Sequence, residues 1–251
     1  MKNILKIMLM MITIFTIAGS AVYAAEIPVS DQDQLITSND WTEISNLQDE
    51  MKKEEPDATI DYDKALKVYV DCNLIKLQTA DTKKLTSALE SANYVWVIPF
   101  KMEKTYGMFT VAKGLPLREE AKSVLTKAEQ EEVKNHAGKW MITEIAEHTV
   151  EPYYDILLEK REALSDCTRV VLVGSQPGMR QPVALGMDDE TARIWISLGY
   201  QYPVMEKIPE TQNVESGVYS FDSVAEISDT YIEDSEVSTG VVSYTHLTLP
   251  T

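Results

Sequence analysis

The chain has 251 residues, with 23 basic against 40 acidic side chains and a formal net charge of −17 at pH 7. A surface of that sign repels phosphate backbones and anionic headgroups, which argues against nucleic acid or a peripheral membrane surface as partner. With 44 % hydrophobic residues the length suffices to bury a core in one large domain or two small ones.

Residues 1–24 read as a secretory signal peptide. Lys2 and Lys6 precede an uncharged run from Ile7 to Ala18, and Gly19, Ser20 and Ala21 follow it. Val22 and Ala24 then stand three and one positions before Ala25, the pattern a signal peptidase cuts. The competing reading is an uncleaved anchor, since the uncharged stretch to Ala25 approaches the roughly 20 residues that span a bilayer. The Gly-Ser break and the cleavage site favour removal, which predicts a secreted or cell-surface protein with no membrane insertion after cleavage. Losing Lys2 and Lys6 lowers the 23 basic residues to 21 against 40 acidic ones, a net charge of −19.

Residues 25–61 form a polar leader with a short helix. Glu26 to Thr37 has no period and is expected to be mobile, and Asp40 can cap a helix with Trp41, Ile44, Leu47 and Met51 on one stripe. Leu66, Val68 and Val70 then alternate with Lys67, Tyr69 and Asp71 as a half-buried strand. Thr79 to Ala92 reads as a helix, and Tyr94 to Phe100 as a strand apolar on both faces, paired in a hairpin with Gly107 to Ala112. Two helical segments follow, Leu117 to Leu125 and Thr126 to Ala137. The second opens on the capping box Thr126 and Glu129 and stops at Gly138.

Lys139 to Ala146 is read as a strand and Val150 to Leu164 as a helix, before three short strands at Arg169 to Val173, Pro182 to Met187 and Ala192 to Leu198. Pro177-Gly178 and Asp188-Asp189 mark the turns between them. Residues 62–202 thus predict an α+β domain, a mainly antiparallel sheet with helices packed on it. Leu89 maps onto Leu164 and Val95 onto Val170, 75 positions on, so two similar helix-hairpin units are one reading; ordinary α+β packing is the other.

From Lys207 to residue 241 there is no further Lys or Arg, and residues 203–241 read as an acidic, Ser-rich linker or tail of low order beyond Thr211. Val218, Tyr219, Phe221 and Val224 leave room there for an extra docked strand. Residues 242–251, VSYTHLTLPT, resemble one reading frame of a transposon-end sequencing adapter and are set aside, so the native chain is expected to continue past Val241.

Few residues offer chemistry. Cys72 and Cys167 allow one disulfide in an exported chain, the alternative being two buried thiols. Gly174-Ser175-Gln176-Pro177-Gly178 has the wrong glycine spacing for a nucleophile elbow and reads as a turn. His136 and His148 lack ligand spacing, and a Cys167 nucleophile served by a histidine beside Asp166 is a weaker sketch. Glu144 with Glu147, or Asp188, Asp189 and Glu190, can be posed as acid and base, and Asp57, Asp61 and Asp63 as calcium ligands, but acidic abundance explains them equally.

No cofactor fingerprint is present, so no cofactor is expected. Arg193, Trp195 and Ser197 share one face of their strand and form the candidate binding face, unless a helix covers it. The pattern is similar to exported proteins of Gram-positive bacteria, a likeness that supplies no site. The expectation is an exported noncatalytic interaction or cell-envelope module whose partner is an extracellular protein or glycan. The alternatives are a secreted hydrolase with an unrecognised active site and a spacer within a longer surface protein.

Overall fold

The computed structural model describes residues 27–148, 150–179, 181–200 and 202–235. The expected signal peptide, the end of the acidic tail and the adapter-like segment lie outside the described residues. In chain order the regular elements are α1 (Trp41–Ile44), α2 (Gln48–Glu54), β1 (Thr59–Ile60), β2 (Leu66–Val70), α3 (Thr82–Glu90), β3 (Asn93–Lys101), β4 (Tyr106–Lys113), α4 (Lys127–His136), β5 (Trp140–His148) and α5 (Tyr153–Glu159). They continue with β6 (Arg169–Val173), β7 (Val183–Met187), β8 (Ala192–Ile196), α6 (Pro203–Glu206), β9 (Asn213–Glu215), β10 (Val218–Ser220) and α7 (Phe221–Ser235). The α+β class expected from the sequence is what the chain adopts.

The strands form one sheet in the order β5-β4-β3-β2-β6-β7-β8-β10-β9, with β1 added to β3. Every pair is antiparallel except β2 with β6. Two antiparallel meanders therefore meet at one parallel seam, where Val68 stands opposite Leu172 and Tyr69 opposite Val173.

Alternation of side chains divides the core. On one face Tyr69, Val171, Val173, Leu185 and Trp195 pack under Leu85 and Leu89 of α3 and Phe221 and Val224 of α7. The opposite face carries Val68, Leu172, Ala184 and Ile196 under Tyr153 and Leu157 of α5, together with Leu164 and Cys167. A third cluster joins Trp96, Ile98, Phe100 and Phe109 to Leu35, Ile44 and Met51. The register Lys67 to Trp96 and Tyr69 to Tyr94 places it on the same face as the first cluster. The helix preceding the first hairpin lies on one face and that preceding the second on the other, with Leu89 and Leu164 on opposite sides of the sheet.

Local chemistry sets the element ends. The Asp81 side chain accepts the Lys84 N–H at 3.0 Å and starts α3. Thr126 and Glu129 make the expected capping box at α4, and Gly138 beyond it takes a positive φ of 75°.

Two expectations are corrected. The leader is not free, because Ile27, Asp33 and Leu35 are all buried. The segment read as a linker supplies β9, β10 and α7, with Val218, Phe221 and Val224 buried. Burial explains the second outcome: β10 extends the ladder past β8, and Phe221 stacks on Trp195 with ring centroids 5.7 Å apart.

Candidate functional site

The leader enters the sheet at the amino end of the seam, where β2 and β6 diverge. Val29 bridges Val170 in parallel and Gln34 bridges Leu66 antiparallel, so the strap wedges between the two strands. Lys67 and Arg169, one from each strand, converge there on Asp33, which is 2 % exposed. Asp33 accepts from Ser30 Oγ at 2.6 Å, Tyr69 Oη at 2.7 Å and Arg169 Nη2 at 3.1 Å, and Lys67 Nζ lies 3.7 Å away.

The Lys67 ammonium also sits over the rings of Tyr94 and Trp96, at 4.5 and 5.3 Å from their centroids. Asp40 braces those rings, accepting from Tyr94 Oη at 2.9 Å and Trp96 Nε1 at 3.0 Å. Burial pushes the Lys67 amine below its ordinary range against the pull of Asp33 and Asp40, and burial with the Asp33 charge raises the Tyr69 phenol. The cluster is largely buried and both cations face an internal carboxylate, which fits a clamp on the strap.

The carboxyl end of the seam is closed by a second buried polar side chain, Gln176, at 3 % exposure. Its Oε1 accepts the Leu74 N–H at 3.0 Å and its Nε2 donates to the carbonyls of Cys72 and Gly174, tying the loop after β2 to the loop after β6. Asp71 and Ser175, each two residues past the paired Tyr69 and Val173, both turn through positive φ, 57° and 58°. Ser175 is thus an exposed serine in a strained conformation at a strand end. It lacks the rest of an elbow, because the chain runs on into β7 instead of a helix. His136 and His148 flank or end β5, four strand spacings or about 19 Å across the sheet from β6.

The cysteines are not bonded to one another. Cys72 packs on the first face and Cys167 on the opposite one, so the sheet itself separates them. Cys167 serves as packing: it lies against Gly186, where an added Cβ would come 2.8 Å from its Sγ. Burial pushes both thiols up to about 11, the wrong direction for a nucleophile.

The predicted binding face is likewise corrected. Trp195 is fully enclosed beneath Phe221, Arg193 is exposed with Asp188 Oδ2 at 3.5 Å, and Ser197 Oγ donates to the Tyr200 carbonyl at 2.9 Å. A helix covers the tryptophan, and no open face joins the three.

The acidic sets have local duties. Asp188 Oδ1 accepts the N–H groups of Thr191 and Glu190 at 2.6 and 2.8 Å, which close the β7–β8 turn and lower its carboxyl. Asp61 lies 3.6 Å from Lys64, and among the described residues no group of three or more His, Cys, Asp or Glu is placed to hold a metal ion. No helix among them is long and apolar enough to cross a membrane.

One region escapes the core altogether. Between β4 and β5 the chain leaves the sheet for residues 114–139, 26 positions of which none is buried. A narrow neck holds this arm: the Gly114 N–H donates to the Lys139 carbonyl at 2.9 Å and the Gly138 N–H to the Gly114 carbonyl at 2.8 Å. Gly114 is required by the close approach, since a Cβ there would meet the His136 oxygen at 2.1 Å. Inside the arm Gln130 Nε2 donates to the carbonyls of Lys122 and Leu125, and Lys134 pairs with Glu131. Leu115 and Val124 remain 51 % and 80 % exposed. The arm carries five basic and five acidic residues, so all the excess negative charge lies elsewhere. Apart from the capping box no motif marks this region, and its signal is that the apolar residues of a helical stretch fall short of a continuous stripe.

Compared with protein-family models, with curated proteins and with solved structures, the chain gives no match.

Proposed function

We propose that the protein is an exported, noncatalytic interaction module, and that the arm at residues 114–139 is its contact element for an extracellular protein or glycan. The observation that supports this most is the arm itself: an organised excursion that gives nothing to the core yet displays Leu115 and Val124. A folded segment with no packing role retains its geometry for something outside the molecule. The basic leader with its cleavage site supports export.

The test compares the chain from Ala25 with a variant whose residues 115–137 are replaced by a two-glycine turn. Both are immobilised and exposed to cell-envelope and culture-medium fractions of the producing cell. Retention by the intact chain and its loss without the arm is expected. Equal retention by both would contradict the assignment, and so would hydrolysis of ester, peptide or glycoside substrates that Ser175→Ala abolishes.

A further inference from the structure

The sheet ends on β5, nine residues long, and among the described residues no backbone group bonds to its outer side. Such an edge accepts an added strand unless something blunts it. The bulge at Thr143, where Thr110 pairs with Glu144 and Val111 with Ile142, shortens the regular edge to its second half. That half carries Glu144 and Glu147, both exposed, one on each side of the sheet, with Ile145 36 % exposed between them. Among the described residues neither carboxylate has a cation within salt-bridge distance.

This charge selects the occupant. A second copy pairing edge to edge would set Glu144 and Glu147 against their own equivalents and bring together two bodies of net charge −17. An extended strand with cations three residues apart instead places one opposite each carboxylate, and the acidic body attracts it. We infer that β5 binds an extended basic segment of a partner protein by strand addition, reading a Lys-x-x-Lys spacing through Glu144 and Glu147. This deepens the interaction-module reading and rests on it; the arm, at the amino end of β5, bounds the same surface.

The test titrates the unmodified protein with labelled threonine-valine peptides by fluorescence anisotropy. Binding is expected for the peptide carrying two lysines three positions apart and not for its two-glutamate counterpart. N-methylation of alternate backbone amides abolishes it, and the Glu144→Lys/Glu147→Lys protein binds about tenfold more weakly, the worth of two exposed charge pairs. Equal affinity for the two peptides, indifference to N-methylation, or concentration-dependent dimers in sedimentation would overturn the inference. Because the peptide series uses the unaltered chain, misfolding of the variant does not blunt it. Retention that depends on the arm, with no peptide bound, would sink the strand-addition inference and leave the module reading intact.

Discussion

The seam and the arm are the two extremes of this molecule. At the seam, two strands from different meanders are fixed by a wedge and by one buried polar side chain at each end, Asp33 and Gln176. In the arm, a capping box, short-range ion pairs and a glycine neck give shape to 26 residues without burying any of them. The first kind of order is cooperative with the whole core, whereas the second is local and separable. Stability therefore belongs to the seam and accessibility to the arm.

The largest effect that would sharpen this contrast is at Asp33. Removing its carboxylate leaves Arg169 without its ion-pair partner and Lys67 with only the charge of Asp40, and Asp33→Ala is expected to lower the unfolding free energy by about 3 to 5 kcal/mol in urea titration. Gln176→Ala strands the Leu74 N–H and the Cys72 and Gly174 carbonyls, and about 2 kcal/mol should be lost in the same assay.

Alkaline pH offers a third probe. Because Tyr69 keeps its proton in the fold, the unfolded chain ionises first once the pH exceeds 10.0. Its contribution is full below pH 10.0 and falls above it by up to about 1.4 kcal/mol per pH unit. Tyr69→Phe should make that limb less steep by one proton's share, the remainder being carried by Tyr94, Tyr153 and Tyr202, whose phenols burial also raises. The smallest effect is expected from cutting out the arm, with a change within about 1 kcal/mol. A loss comparable to that of Asp33→Ala would break the contrast.

Much of the sheet was legible in the sequence because alternation at Leu66–Val70 and the doubly apolar run at Tyr94–Phe100 carry a period of two. The strap was not, because Glu26 to Thr37 shows no period and its aspartate at a core position is made tolerable only by Lys67 and Arg169, distant in sequence. The grouping of Arg193, Trp195 and Ser197 on one face followed from alternation, but cover for that face comes from α7, whose acidic surface resembles a linker. Cysteine spacing carries no information about which side of a sheet each thiol takes. Of the arm, Thr126 to Ala137 was legible as a helix, whereas Leu117 to Leu125, also read as helical, forms only a 3-10 turn at Glu120–Ser123, and the arm's isolation is a property of what fails to touch it, which no local pattern encodes.

Native-state hydrogen exchange read residue by residue tests the central claim most directly. The amides of Val68, Tyr69, Leu172 and Val173 should exchange only through global unfolding, while those of residues 127–136 exchange through local opening several kcal/mol cheaper, about the range that separates surface elements from core strands. Protection of the arm equal to that of the seam would contradict the account.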